Sequence, residues 1–147
     1  MTHKQITERA SKWLKRHSKN RIIPNCSTVV SEITSATSSG ETPDVIGWCS
    51  WASVLIEVKI SRSDFLRDFK KPFRKFADMG MGEFKYYICP TDLLAVEEMP
   101  EHWGLLYCDA KGKITIQKVA VKHEANLRCE RTLLLSINRR AKSSACS

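Results

Sequence analysis

Residues 43–59 read Pro43-Asp44-Val45-Ile46-Gly47-Trp48-Cys49-Ser50-Trp51-Ala52-Ser53-Val54-Leu55-Ile56-Glu57-Val58-Lys59. Two apolar runs flank a short polar break, which is the pattern of a β-hairpin with Ser50-Trp51 at its tip. In that register antiparallel partners sum to about 101, so Asp44 falls opposite Glu57, with their Cβ atoms roughly 5 Å apart. Side chains repeat every second residue along a strand, which puts Lys59 on the face of Glu57. Two carboxylates and an ammonium therefore converge on a small volume. Such a set suits a hard cation and an activated water at a phosphodiester.

Outward from the hairpin, residues 4–17 form an amphipathic helix pattern with Ile6, Ala10, Trp13, Leu14 and His17 near one face. A loop around Pro24 leads to a first strand over 26–34, and the small polar stretch 35–42 is a second loop. The hairpin strands lie near 44–49 and 53–60. Ser61 or Ser63 then caps a helix, with Asp64 in its first turn. Phe65, Leu66, Phe69, Phe73 and Phe76 mark one apolar face, read as core rather than a base-stacking platform. Pro72 falls inside this pattern and predicts a kink or two short helices. Further strands are expected at 84–89, 104–108 and 113–121, a short helix at 92–98 and a closing helix at 124–139.

The order helix, three strands, helix, strand, then extra strands and a helix predicts an α/β (α+β) fold, a mixed central sheet flanked by helices. One domain over 1–139 is expected, with 140–147 a disordered tail.

The 147 residues are 42% hydrophobic and 27% charged, ordinary for a globular chain. No run of 18 apolar residues is present, and the N-terminus lacks a signal-peptide core, so a cytoplasmic protein with no membrane partner is expected. The six cysteines have no Cys-x-x-Cys spacing, which argues for buried reduced thiols over zinc. The net charge of +8 is segmented: +6 over residues 1–22, −4 over 23–57, +5 over 58–75, −6 over 76–110 and +7 over 111–147. Acidic segments between basic ones suit cation binding beside a polyanion, although a solvated basic surface has the same composition. Basic faces run along Lys12, Lys15, Arg16 and Lys19 and along Lys70, Lys71, Arg74 and Lys75. Trp48 and Trp51 near the tip are placed either to stack on an unpaired base or to cover the core edge. His102 and His123 stand alone and read as structural or surface residues.

A bare Glu-x-Lys is common and usually only solvates a strand. Here Pro43-Asp44, followed thirteen residues on by Glu57-Val58-Lys59, resembles the PD-(D/E)xK nuclease superfamily. The strings Leu55-Ile56-Glu57-Val58-Lys59-Ile60-Ser61-Arg62-Ser63-Asp64-Phe65, Asp68-Phe69-Lys70-Lys71-Pro72 and Tyr86-Tyr87-Ile88-Cys89-Pro90 bring it nearer to MmcB-like DNA-repair proteins and related phage proteins. The resemblance covers about residues 26–120 and implies a restriction-endonuclease-like core of order α-β-β-β-α-β. It gives Asp44, Glu57 and Lys59 the catalytic places, and Asp44, Glu57 and the Val58 main-chain carbonyl the metal places, with Mg²⁺ or Mn²⁺ as cofactor. An additional acid often completes such sites; Glu32 is the first choice and Glu8 the reserve. Ser61, Arg62, Lys70, Lys71, Arg74, Lys15 and Arg16 are the nucleic-acid-binding candidates.

The expectation is a Mg²⁺-dependent DNA endonuclease serving repair, recombination or phage DNA processing in a bacterial or phage-infected cell. DNA is the partner, and a homodimer stays open. The alternatives are a non-catalytic DNA-binding or protein-interaction module on the same fold, and a small phage protein that inhibits a host enzyme.

Overall fold

The two periodicities resolve into three layers in the computed structural model, which describes residues 1–16, 22–31 and 41–146, with side chains as far as Lys142. The first half of the chain gives α1 (His3–Lys15), β1 (Thr28–Ser31), β2 (Val45–Trp48), β3 (Ser53–Val58), α2 (Arg62–Asp68) and α3 (Pro72–Lys75). The second half gives β4 (Phe84–Pro90), β5 (Gly104–Cys108), β6 (Ile114–Lys118) and α4 (Leu127–Cys146), with 3₁₀ turns at Ala77–Met79 and Val96–Glu98. The strands form one mixed sheet in chain order. Pairs β1–β2, β2–β3 and β5–β6 are antiparallel, while β3–β4 and β4–β5 are parallel.

A Thr2–Gln5 capping box starts α1, with Thr2 Oγ1 accepting from Gln5 N at 3.1 Å and Gln5 Oε1 accepting from Thr2 N at 2.8 Å. Its buried stripe of Ile6, Ala10 and Leu14 packs on Val45, Val54, Ile56, Val58 and Ile88. Ile46, Leu55, Tyr87 and Leu105 point to the opposite face, under Phe65 of α2 and Cys129 and Leu133 of α4. With both faces covered, every position of β3 is buried. That is why its sequence is a near-continuous apolar run and why a charged Glu57 within it stands out. Gly47 faces α1 at close range: a Cβ there would meet Leu14 Cδ2 at 2.8 Å and Cys26 Cβ at 2.9 Å.

Pro72 divides the expected long helix into two. It opens α3 from the first turn, where its missing N–H costs nothing. The aromatic stripe breaks there too, with Phe65 buried, Phe69 partly buried and Phe76 exposed. The helix expected at 92–98 is only the 3₁₀ turn Val96–Glu98, and Asp92 before it takes the left-handed region (φ 65°). The expected disordered tail is also corrected. The closing helix starts at Leu127 and runs past Arg139 to Cys146, because no glycine or proline interrupts it. His17 and Glu32 lie outside the described residues. Cys26, Cys89, Cys108 and Cys129 are buried thiols, and Cys49 is partly buried. Among the described residues no helix is long and apolar enough to cross a membrane.

Glu130 of α4 ties three elements together. Its Oε1 accepts from the Trp48 indole at 3.0 Å, and Oε2 accepts from Ser53 Oγ at 3.0 Å and Gly82 N at 2.9 Å. Trp48 thus faces α4 rather than solvent, while Trp51 stays exposed, edge-on to Phe84. Glu130→Ala strands three donors, so urea unfolding should show a loss of about 2–4 kcal/mol with unchanged slope. Glu130→Gln, which keeps one of the two acceptor oxygens, should lose less.

Candidate functional site

The hairpin turns where Cys49 N donates to Ala52 O at 3.0 Å, with Ser50-Trp51 between them. Its pairs are Val45–Ile56, Ile46–Leu55, Gly47–Val54 and Trp48–Ser53, which is the expected register. One step further, Asp44 faces Glu57 at the open end of the ladder. Asp44 is fixed by Val58 N, which donates to its Oδ2 at 2.9 Å, and by His3 Nε2, 3.4 Å from its Oδ1. Glu57 and Lys59 share the face of Leu55 and Tyr87, and both are buried. Lys59 N donates to Ile88 O at 2.9 Å, so β3 stays against β4 beyond its last ladder residue.

On this face the chain places groups that the hairpin alone does not announce. Asp68, fully buried at the end of α2, accepts from Tyr87 Oη at 2.5 Å and from Arg74 Nε at 2.8 Å. Its other oxygen lies 3.3 Å from Lys59 Nζ and 3.2 Å from Lys71 Nζ. Arg74 is the hub. Its Nη1 donates to Glu41 Oε2 at 2.6 Å, and its Nη2 lies 3.1 Å from Glu57 Oε1. Glu41 in turn accepts from Met81 N at 2.7 Å. The guanidinium also lies 4.8 Å from the centre of the Phe73 ring and 5.1 Å from that of Trp103.

The protonation of these groups follows from burial against charge. Burial pushes Glu57 well up from the usual carboxylate range; Arg74 opposes this, and the nearby Asp44 adds to it. Burial also works to raise Asp68, yet Arg74, the Tyr87 hydroxyl and Lys59 outweigh it and hold the carboxyl well below its usual range. Burial and the Asp68 charge raise the Tyr87 phenol, which therefore remains a donor.

Several candidates take other places. Ser61 caps α2, accepting from Asp64 N at 3.2 Å, and Arg62 pairs with Glu98 and donates to Leu93 O at 3.3 Å. Arg74 is a correction. It is not part of a solvated basic face, since α3 turns its side chain inward to 3% exposure among carboxylates. Lys70 remains exposed, and Lys71 lines the mouth of the site. Lys15 and Arg16 lie at the far end of α1 from His3, about 18 Å along the axis, and so outside the site. Glu8 is exposed on α1, where His3 is the residue that reaches Asp44. His3, Glu41, Asp68 and Tyr87 were missed. Asp68 had a signal, lying three residues after the core residue Phe65 on the same face of α2.

His3, Thr42, Asp44, Glu57, Lys59 and Lys71 line a hollow of about 390 Å³. Among the described residues no group of three or more acidic, His or Cys side chains is placed to hold a metal ion. The pair Asp44 and Glu57 nonetheless fits a cation that keeps most of its waters. Glu57 Oε1 is buried without a hydrogen bond, its contact with Arg74 being Coulombic, and the Asp44 charge that raises Glu57 would be offset by a shared cation.

No family model and no curated protein matches the chain by sequence. A solved structure of a protein of unknown function from Silicibacter pomeroyi is similar in fold, with a TM-score of 0.57 and 21% identity over 80% of this chain and 79% of that one.

Removing Arg74 leaves Glu41 and Glu57 without their buried cation and Asp68 with only Lys59 and Lys71. Arg74→Met should cost about 3–5 kcal/mol in urea unfolding at neutral pH. Asp68 is depressed in the wild type, so its contribution is full above an ordinary carboxylate value near 4 and fades as pH falls further. In the variant the carboxylates protonate earlier, and its deficit should shrink as pH drops from about 7 to 4.

Proposed function

We propose that the chain is a metal-dependent endonuclease that hydrolyses DNA phosphodiesters. Asp44 facing Glu57 with Lys59 on the same face carries this reading, inside a chain of net charge +8. Asp44, Glu57 and the Val58 carbonyl are the groups to hold Mg²⁺ or Mn²⁺. Bound there, the cation would polarise the phosphoryl group and make water more acidic.

The other work falls to the protein. Lys59, buried and held 3.3 Å from Asp68, keeps a compact positive charge beside the carboxylate pair, where it orients a water and offsets charge on the phosphoryl oxygens. Asp68 is a positioning residue, fixed by Tyr87 and Arg74, so that Lys59 has few alternative rotamers. Lys71, half-exposed at the mouth, draws in the backbone phosphates. In the reaction a water oxygen bonds to phosphorus as the bond to the leaving strand oxygen breaks. One water proton ends on that leaving oxygen and the other goes to solvent.

Repair, recombination or phage DNA processing in the cytoplasm of a bacterial or phage-infected cell belongs to the same proposal. So does a homodimer, whose two sites would address two strands. The grip of Arg74 on Glu57 favours one other reading, a DNA-binding or protein-interaction module that keeps the fold without turnover.

Plasmid and branched DNA should be nicked with Mg²⁺ or Mn²⁺ and left intact in EDTA. Glu57→Gln and Lys59→Met should each lower the rate by at least about a hundredfold. Salt-sensitive binding without nicking selects the non-catalytic module, and a Glu57→Gln protein as active as wild type overturns the assigned site.

A further inference from the structure

On the sheet face that carries Glu57 and Tyr87, Lys85 lies one step back along β4, paired in register with Leu55. It is 1% exposed. Its ammonium donates to Glu124 O at 3.3 Å and lies 3.1 Å from His123 Nε2. Among the described residues no carboxylate forms an ion pair with it, whereas the buried cations Lys59 and Arg74 of the same face touch one and three. A buried ammonium without a direct ion pair is costly, and burial lowers its pKa to about 8 although the Glu41 charge nearby opposes this.

Lys85 lines a hollow of about 270 Å³ together with Lys75, Phe73, His102, His123 and Trp103. The His102 and His123 rings lie 5.2 Å apart, and His102 holds a left-handed backbone (φ 71°) in the turn closed by Trp103 N and Pro100 O at 3.1 Å. The two histidines that stand alone in the sequence thus meet over one lysine. Glu101 is the single carboxylate of this lining.

The hollow also continues the candidate active site. Glu57 and Lys71 are walls shared by the carboxylate hollow and a middle one of about 380 Å³, and Phe73 and Arg74 are walls shared by the middle hollow and the basic one. The three adjoin one another past α3 as a trough, with carboxylates and cations mixed at one end and mainly basic groups at the other.

We propose that the basic hollow binds a phosphomonoester, the phosphorylated end of the DNA strand that lies in this trough. The inference rests on the nucleic-acid reading of the site. A phosphomonoester brings close to two negative charges and three acceptor oxygens, against one charge for an internal diester. It supplies the direct ion pair that Lys85 has with no carboxylate among the described residues, and Lys75, His102 and His123 line the same hollow. The site would make the protein prefer strand ends carrying phosphate over those carrying hydroxyl.

The test uses full-length protein in EDTA, so that binding is read without cleavage. Short single-stranded oligonucleotides with 5′-phosphate, 3′-phosphate or hydroxyl ends are titrated by calorimetry, with inorganic phosphate as a separate arm. The His102 and His123 ring protons are followed by NMR. One phosphorylated end should bind at least about tenfold tighter than the hydroxyl end and shift both imidazole signals. Lys85→Met should abolish the difference while leaving hydroxyl-end binding unchanged. His102→Ala, at a half-exposed position, should reduce the difference and serves if Lys85→Met fails to fold. Equal affinity for all ends, unshifted imidazoles, or response to inorganic phosphate alone overturns the proposal. Preferential end binding by a protein that never nicks DNA would sink the endonuclease reading and leave this one standing; nicking without end preference would do the reverse.

Discussion

The Arg74 guanidinium, buried among Glu41, Glu57 and Asp68, is the constraint on which the rest of the structure depends. Three carboxylates on three separate segments cannot share a dry space unless something positive holds them. A planar fork with five donors meets them from three directions, which a lysine cannot do. Because Glu41 precedes β2, Glu57 lies next to the end of β3 and Asp68 ends α2, one side chain fixes how the hairpin, α2 and the stretch after α3 sit over the sheet. The interaction lies on the link between packing and chemistry. It is a stability element whose position also sets the geometry of the site.

Its consequence is a division of labour among the acids. Asp68 is hydrogen-bonded through one oxygen to Tyr87 and Arg74 and charge-compensated at the other by Lys59 and Lys71, and therefore acts through Lys59 rather than on a ligand. Glu57 is only half satisfied, with one oxygen toward Arg74 and the carboxyl close to Asp44. The open end of the β2–β3 ladder thus carries the one poorly compensated carboxylate pair of the network. On the far side of Arg74 the imbalance reverses, and Lys85 is held by the Glu124 carbonyl and His123 with no carboxylate ion pair among the described residues. A trough with an unmet need for a cation at one end and for an anion at the other matches a metal ion and a phosphate group of a single strand.

The hairpin was legible in the sequence because both signals that define it are local. Period-2 spacing fixes which side chains share a face, and a short break fixes the register, so Asp44 and Glu57 could be set opposite one another from residue numbers alone. Pro72 likewise announced the division between α2 and α3. Arg74 misled because a basic residue amid Lys70, Lys71 and Lys75 looks solvated. Only the turn of α3, with carboxylates gathered from positions 41, 57 and 68, pulls it inside. His102 and His123 are brought together by the packing of two loops around β4, a non-local event without sequence periodicity. The helical run to Cys146 was lost to a general expectation about termini that the local composition does not obey.

The central claim is that Asp44 and Glu57 form the cation-binding end of the Arg74 network. Its most direct measurement is anomalous scattering from a crystal soaked in Mn²⁺. The account predicts a manganese peak shared by the Asp44 and Glu57 carboxylates, with Arg74 still bonded to Glu41 and Asp68. No peak there at saturating Mn²⁺, with Glu57 still facing Arg74, would contradict it.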